Sequence, residues 1–403
     1  MAGDKGVLQL GRSRYQFRLR TLLVVMTLLA VPFGWIAWER QQRQKEEQVV
    51  DWVEEVGGRV RFEFDHLPSS WWDRQTDAWF GPTVCLVNLK NTTIDDLTPL
   101  TDLRRLQGLA LTNTPVTDLT PLRSLRNLKV VGLMGSAVTD LSPVADNTRL
   151  TQLELSETEI KDLSALRNLV HLERLSLGET PVTDLGPLSG LKNLNYLYLP
   201  KAPVSDLSGL EGAVSLVELN VNDTAVRDLS PLAGLTNLQK LGLSDTNVSD
   251  LSPLRNLEYL VSLNIANSLV SDLSPLARAT KLAVLHADNS QVKDLSPLAG
   301  MKNLRDLGLQ DTQVRDLAPL AALDRLWNLD LAGTSVSDLT PLAGLKNLES
   351  LSLDNTQVRD LTPLSGLSKL RRVMLTRTPA TSQEVERLRQ ALPNCGISHT
   401  PSR

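Results

Sequence analysis

The sequence predicts an α/β repeat solenoid. About fourteen short parallel strands line one side, compact 3₁₀ turns line the other, and a transmembrane helix precedes the repeats. Three observations carry this reading. Asp-Leu recurs thirteen times at an interval of 22 residues, from Asp96 to Asp360, without insertion or deletion. Inside each unit the apolar spacing switches from three residues to two. Upstream, residues 21–38 carry no charge. A solenoid requires a strict register because each coil stacks its apolar residues on those of the next.

Taken along the chain, residues 1–20 form a basic segment, with Lys5, Arg12, Arg14, Arg18 and Arg20 against Asp4. Thr21 to Trp38 follows as a transmembrane signal anchor. At about 1.5 Å per residue its eighteen residues approach the thickness of a hydrocarbon layer. Trp35 and Trp38 suit one interface and Arg18 and Arg20 the other. Neither Ala30 nor Ala37 completes a small-x-small cleavage site, so the anchor is expected to stay attached. The basic flank then remains cytoplasmic, making a single-pass membrane protein with extracytoplasmic repeats. Residues 39–58 read as a charged juxtamembrane helix closed by Gly57-Gly58.

Residues 59–83 are expected to cap the solenoid. Val60, Phe62 and Phe64 alternate as in a strand, and Trp71, Trp72, Trp79 and Phe80 are expected to cover the open apolar end. The solenoid proper spans 84–380. In the unit that starts at Asp96, Leu97, Leu100, Leu103 and Leu106 recur every third residue, the spacing at which side chains eclipse in a 3₁₀-helix. Leu109 and Leu111 then alternate as in a strand. Ser or Thr precedes Pro in most units, which suggests a hydroxyl cap with Pro at the first helical position. Ala165, Gly186, Gly209 and Ala318 depart from that pattern. The repeated aspartate offers either a row of cation ligands or a local cap on turn amides; every coil needs a cap. Residues 381–403 close the chain with an amphipathic helix from Ser382 (Val385, Leu388 and Leu392 inward), a strand-like segment at Cys395 and Ile397, and a frayed tail from Ser398.

The run Leu-x-x-Leu-x-Leu-x-x-Thr-x-Val-x-Asp-Leu-x-Pro-Leu resembles the bacterial leucine-rich repeat, above all the internalin-like 22-residue class. The order of basic flank, anchor, charged helix and Gly57-Gly58-Arg59-Val60 is similar to membrane-anchored leucine-rich-repeat proteins of bacteria. One departure matters. Where the family carries Asn, this chain has Thr114, Thr158, Thr180 and Thr224, with Ser136, Ser268 and Ser290 as variants. Ala202 lacks a hydroxyl and marks an expected weak spot. The resemblance suggests adhesion at the repeat, and host invasion is not carried over.

The resemblance also implies that residues beside and between the strand leucines face a concave sheet. Tyr196 and Tyr198 then share one face, and half of the four tyrosines in the chain lie there. Aromatic rings with a polar tip make good interface anchors. Glu218, Asn220, Asn222, Asp223, His286, Asp288, Asp306 and Asp330 add a polar, acidic surface for a protein or glycan. The alternative for the same surface is a solvated sheet that binds nothing. A parallel row, Asp223, Asp245, Asn267, Asn289 and Asp311, offers oxygens to Ca²⁺, but Asp and Asn are also the usual turn residues after a strand. No metal is therefore assigned, and no cofactor.

Composition excludes several classes. Net charge is −4, and the basic N-terminus leaves the repeats more acidic still. Such a solenoid lacks the basic face that nucleic acid requires. Four histidines lie far apart in sequence, and no phosphate loop, metal-spaced cluster or nucleophile elbow is present, so no enzyme is expected. Cys85 and Cys395 sit at opposite ends of the stack, too far apart for a disulfide, and are expected to be buried thiols. The function expected is a membrane-anchored recognition module. A structural spacer working by length or self-association is the alternative, and a cytoplasmic-side scaffold a weaker one.

Overall fold

The computed structural model describes residues 19–62 and 83–401, with the side chains of several residues in 19–32 outside that description. Among the described residues sixteen strands form one sheet in simple sequence order. They run from β1 (Arg59–Phe62) and β2 (Val84–Asn88), through twelve three-residue strands β3 to β14 (Gly108–Ala110 to Ser350–Ser352), to β15 (Arg372–Thr378) and β16 (Gly396–Pro401). From β2 to β15 the strands repeat every 22 residues and pair in parallel, with leucine on leucine in most pairs, as Leu197 on Leu219, and valine at Val87, Val131 and Val373. These are the fourteen expected strands. The sheet is longer by one at each end, since β1 pairs antiparallel to β2 and β16 pairs parallel to β15.

Opposite the strands, among the described residues, lie thirteen 3₁₀ turns, from Thr98–Asp102 to Thr362–Leu364. Between sheet and turns the leucines are sealed; Leu97, Leu100, Leu103, Leu106, Leu109 and Leu111 are each at most 1% exposed. Each such side chain contributes roughly 1.5–3 kcal/mol on burial. Ordering a coil costs a comparable amount, so stability comes from stacking rather than from any coil alone.

The caps differ in detail from the expectation. All thirteen repeat aspartates accept the backbone N–H two residues ahead, at 2.7–2.9 Å. The residue before each turn is a leucine that makes no side-chain cap. Ser and Thr therefore do not cap the turn. Where the residue is Ser, its hydroxyl donates to the second carboxylate oxygen, as Ser230 does to Asp228 at 2.7 Å. That division of labour explains the tolerated departures: Gly186 and Ala318 still donate their amides to Asp184 and Asp316. Gly209 answers a different constraint, because a Cβ there would run into the Leu185 carbonyl of the previous coil.

At the far end of each strand a second device turns the chain. The Thr hydroxyl donates to the carbonyl three residues back, as Thr114 to Leu111 and Thr158 to Leu155. Ser268 and Ser290 do the same, whereas the buried Ser136 Oγ has no hydrogen-bond partner among the described residues. At Ala202, which has no hydroxyl, the backbone bond from Ala202 N to Leu199 O closes the turn, and Lys201 N is bonded to Asn222 O of the next coil. The preceding position is left-handed in every coil, with φ between 54° and 69° from Asn91 to Arg377. Asn, Asp and Gly tolerate that region. Asp223, Asp245, Asn267, Asn289 and Asp311 all belong to this row, so backbone conformation accounts for them without a cation.

Both ends are covered. One continuous helix, α1 (Leu19–Glu55), replaces the expected pair of anchor and juxtamembrane helices. Among the described residues no helix is long and apolar enough to cross a membrane. Residues 39–55 do not stand apart from the solenoid: Glu39, Arg43, Glu46, Val49 and Val53 form one buried stripe at helical spacing. Val49 and Val53 join the leucine core, and Lys45 pairs with Asp102 of the first turn at 2.9 Å. Arg43 is paired with Glu39 and Glu46, at 3.3 and 3.5 Å. A Schellman turn ends the helix, with Gly58 N bonded to Val53 O, Gly57 N to Glu54 O, and φ of 82° at Gly57. Phe64, Trp71, Trp72, Trp79 and Phe80, expected in the N-terminal cap, lie outside the described residues.

At the C-terminus α2 (Ser382–Ala391) buries Val385 and Leu388, and Thr381 accepts the Glu384 amide as its N-cap. The tail expected to fray from Ser398 is instead paired in β16 as far as Pro401, because β15 extends to Thr378 and offers it a full edge. Cys85 and Cys395, expected to be buried, are only half-buried, and burial pushes the Cys395 thiol up from its ordinary value.

Candidate recognition face

The strand residues on either side of each central leucine point away from the core. On β7 (Tyr196–Tyr198) Leu197 is sealed while both tyrosine rings are half-buried on the opposite face. Stacking supplies their neighbours. Arg174, one coil earlier, places its guanidinium carbon 3.8 Å from the centre of the Tyr196 ring, a cation–π contact. Glu218, one coil later, accepts from the Tyr198 hydroxyl; burial first, and then this bond, push the phenol up to about 12. Lys240, a further coil on, closes the chain with its Nζ 3.1 Å from Glu218 Oε2. Arg174, Tyr196, Tyr198, Glu218 and Lys240 thus form one continuous ribbon over four coils.

The acidic residues separate into two groups. Asn220, Asn222, Asp288 and Asp330 spend a side-chain oxygen on backbone. Asn220 and Asp330 accept the amide two residues ahead, and Asn222 and Asp288 reach the next coil's Ser244 and Gln310. A Cβ at Gly242 or Gly308 would collide with Asn222 or Asp288, so those glycines leave the room these side chains use. Asp223 is exposed in the left-handed row, away from the strand rows.

The second group is a cluster around Asp306. His286 Nε2 lies 3.5 Å from Asp306 Oδ2, and Asn328 donates to Oδ1 at 2.7 Å. The hydrogen bond with Asp306 holds the imidazole above its ordinary value, and the same bond lowers Asp306. Burial raises Asp288 beside them. Of the ten residues singled out by sequence, Tyr196, Tyr198 and Glu218 come together in an aromatic patch and His286, Asp288 and Asp306 in a His–Asp patch, while Asn220, Asn222 and Asp330 bond to backbone and Asp223 stands apart. Arg174, Lys240 and Asn328 were missed. Their signal was the register itself, since each lies 22 residues from a chosen residue. Among the described residues no group of three or more His, Cys, Asp and Glu is arranged to hold a metal ion.

Comparison with known proteins bears on this geometry. A description of tandem leucine-rich repeats, two copies at a time, matches residues 214–256, 236–278 and 325–372. No curated protein is a match. An internalin (inlF) from Listeria monocytogenes superposes with a TM-score of 0.70 at 30% identity, over 73% of this chain and 86% of that one. The chain belongs to the leucine-rich-repeat family. A leucine-rich-repeat protein from Leptospira interrogans (21% identity, TM-score 0.67, 74% of this chain and 86% of that one) shares the fold. So does a TDR receptor (17%, 0.67, 77% and 58%). The solenoid here is thus internalin-like in its repeat.

Proposed function

We propose that this leucine-rich-repeat protein is a membrane-tethered, non-enzymatic recognition module that takes a protein ligand on the concave face through the ribbon Arg174–Tyr196–Tyr198–Glu218–Lys240. The observation that carries the proposal is the tyrosine pair on β7. Stacking needs neither ring, yet both are held in place by a cation on one side and a carboxylate on the other. Pre-positioned rings of this kind lose little freedom on binding. The His286–Asp306 patch provides polar contacts farther along the same face.

Tethering is supported by the first half of α1. Val24, Met26, Val31 and Phe33 are 55–70% exposed there, an apolar surface that water disfavours and a lipid core accepts. In the sequence, Arg18 and Arg20 on the N-terminal side of this apolar stretch favour a cytoplasmic N-terminus and extracytoplasmic repeats. A reporter fused after residue 60 is expected to be active only outside the cytoplasm; cytoplasmic activity would invert the orientation. For recognition, proximity labelling from the full chain in its native membrane should enrich a protein partner that the Tyr196→Ala, Tyr198→Ala double variant loses at unchanged thermal stability. Retention of every labelled partner by the variant, together with sensitivity to the number of coils, would favour a spacer instead.

A further inference from the structure

Beside the concave face, along the edge where each strand begins, the same row position in successive coils builds a ladder. Asn127, Asn303 and Asn347 each donate their amide to a carbonyl of the preceding coil. Each also accepts a cation from the following coil: Arg149 on Asn127 at 2.6 Å, Arg325 on Asn303 at 2.7 Å and Lys369 on Asn347 at 2.8 Å. In three coils the unit is the same, an anchored asparagine whose Oδ1 is met by a basic side chain 22 residues ahead.

Asn193 begins the same unit, donating to Val170 O at 2.8 Å. The residue 22 ahead is Ser215, too short to complete it, and Asn193 Oδ1 accepts no bond from any described residue. His171 and Ser215 on either side are also short. The edge therefore opens into a groove of about 500 Å³, lined in part by Thr151, His171, Glu173, Asn193, Asn195 and Ser215. Glu173 is exposed and has no ion-pair partner among the described residues. The cations at the groove's end, Lys129 and Arg149, are bonded to Gln107 and Asn127 of earlier coils. Asn237, the other uncompleted position, has Tyr259 ahead of it and Val217 where a carboxylate would be needed.

We infer that this groove receives a basic side chain, arginine above lysine, from an extended segment of a protein partner. The guanidinium would take at Asn193 Oδ1 the place that Arg149 and Arg325 take in their own coils, with Glu173 as its counter-charge. Planar guanidinium meets carboxylate and amide oxygens together, which a point-charge ammonium does less well. The inference concerns the sheet edge and stands apart from the tyrosine face; loss of either site leaves the other to be tested.

The test uses the full chain and a fluorescent Gly-Ser-Arg-Ser-Gly peptide in anisotropy titrations, with citrulline in place of Arg as the neutral isostere and Glu as the opposite charge. The arginine peptide is expected to bind about tenfold or more tighter than either control. Ser215→Arg supplies the missing rung from within and should abolish binding. Glu173→Gln, an exposed change that leaves the stack untouched, should weaken it about tenfold. Binding of the arginine peptide to Ser215→Arg as well as to the parent overturns the inference. So does equal binding of the citrulline peptide, preference for the glutamate peptide, or no binding of the arginine peptide at millimolar concentration.

Discussion

The aspartate that opens each 3₁₀ turn is a good place to ask what a single residue contributes. At Asp228 the Ser230 hydroxyl, and then the Ser230 backbone amide, hold the carboxyl below its ordinary 3.8. The same direction applies to Asp96, Asp118, Asp140, Asp162, Asp250, Asp294, Asp338 and Asp360. A depressed folded-state value gives stability that is present above pH 3.8 and lost as pH falls through the folded value. Denaturation midpoints measured from pH 6 to pH 2 should therefore drop most steeply below about 4. Asp228→Asn keeps an acceptor oxygen without the titration and should flatten its share of that drop. The left-handed row gives an opposite opportunity. Glu157 sits at φ 59°, where its Cβ is disfavoured. Glu157→Asn should raise stability by up to about 1 kcal/mol in urea titrations, and an unchanged midpoint would argue against strain there.

Among the elements, the two end caps show how far sequence reading reached. The amphipathic spacing of α2 was plain, and Leu388 is 2% exposed beneath it. Leu388→Ala should cost about 2–5 kcal/mol, read as loss of a low-denaturant transition localised to the last coils. The C-terminal half of α1 was harder. Glu39, Arg43 and Glu46 look like a solvated face, because composition says nothing of the partner they meet. In the fold they face the first coil, where Arg105 lies 3.7 Å from Glu39 and Asp102 pairs with the neighbouring Lys45. The turns are legible as 3₁₀ segments and the repeated aspartate as their cap, whereas the second cap expected from Ser and Thr does not form. Reading Pro as the first helical residue places the start one residue late, since each turn begins at the residue before it. On the recognition face, alternation in the strand placed both tyrosines correctly. Their partners Arg174 and Glu218 emerge only when coils are laid side by side, since nothing local links residues 22 apart.

At the scale of the molecule, unbroken register makes the coil a unit that the rest of the fold does not need individually. Excising residues 228–271 joins Arg227 to Asp272 in phase. The product should fold, keep its strand signal and shorten by about 10 Å in solution scattering. Removing half that segment's first coil, residues 228–238, puts leucines against polar rows and should abolish cooperative folding. Recovery of a native-like transition from that out-of-phase deletion would contradict leucine-on-leucine stacking as the source of stability.

The sheet's hydrogen bonds run from coil to coil, along the solenoid's length. A pull applied between α1 and β16 therefore acts along these bonds and loads them one coil at a time, as a zipper rather than a shear joint. Under tension the molecule should yield at low force in steps, each releasing roughly 70–80 Å of chain. A protein built this way is a soft, extensible link between whatever holds its first helix and whatever grips its far end.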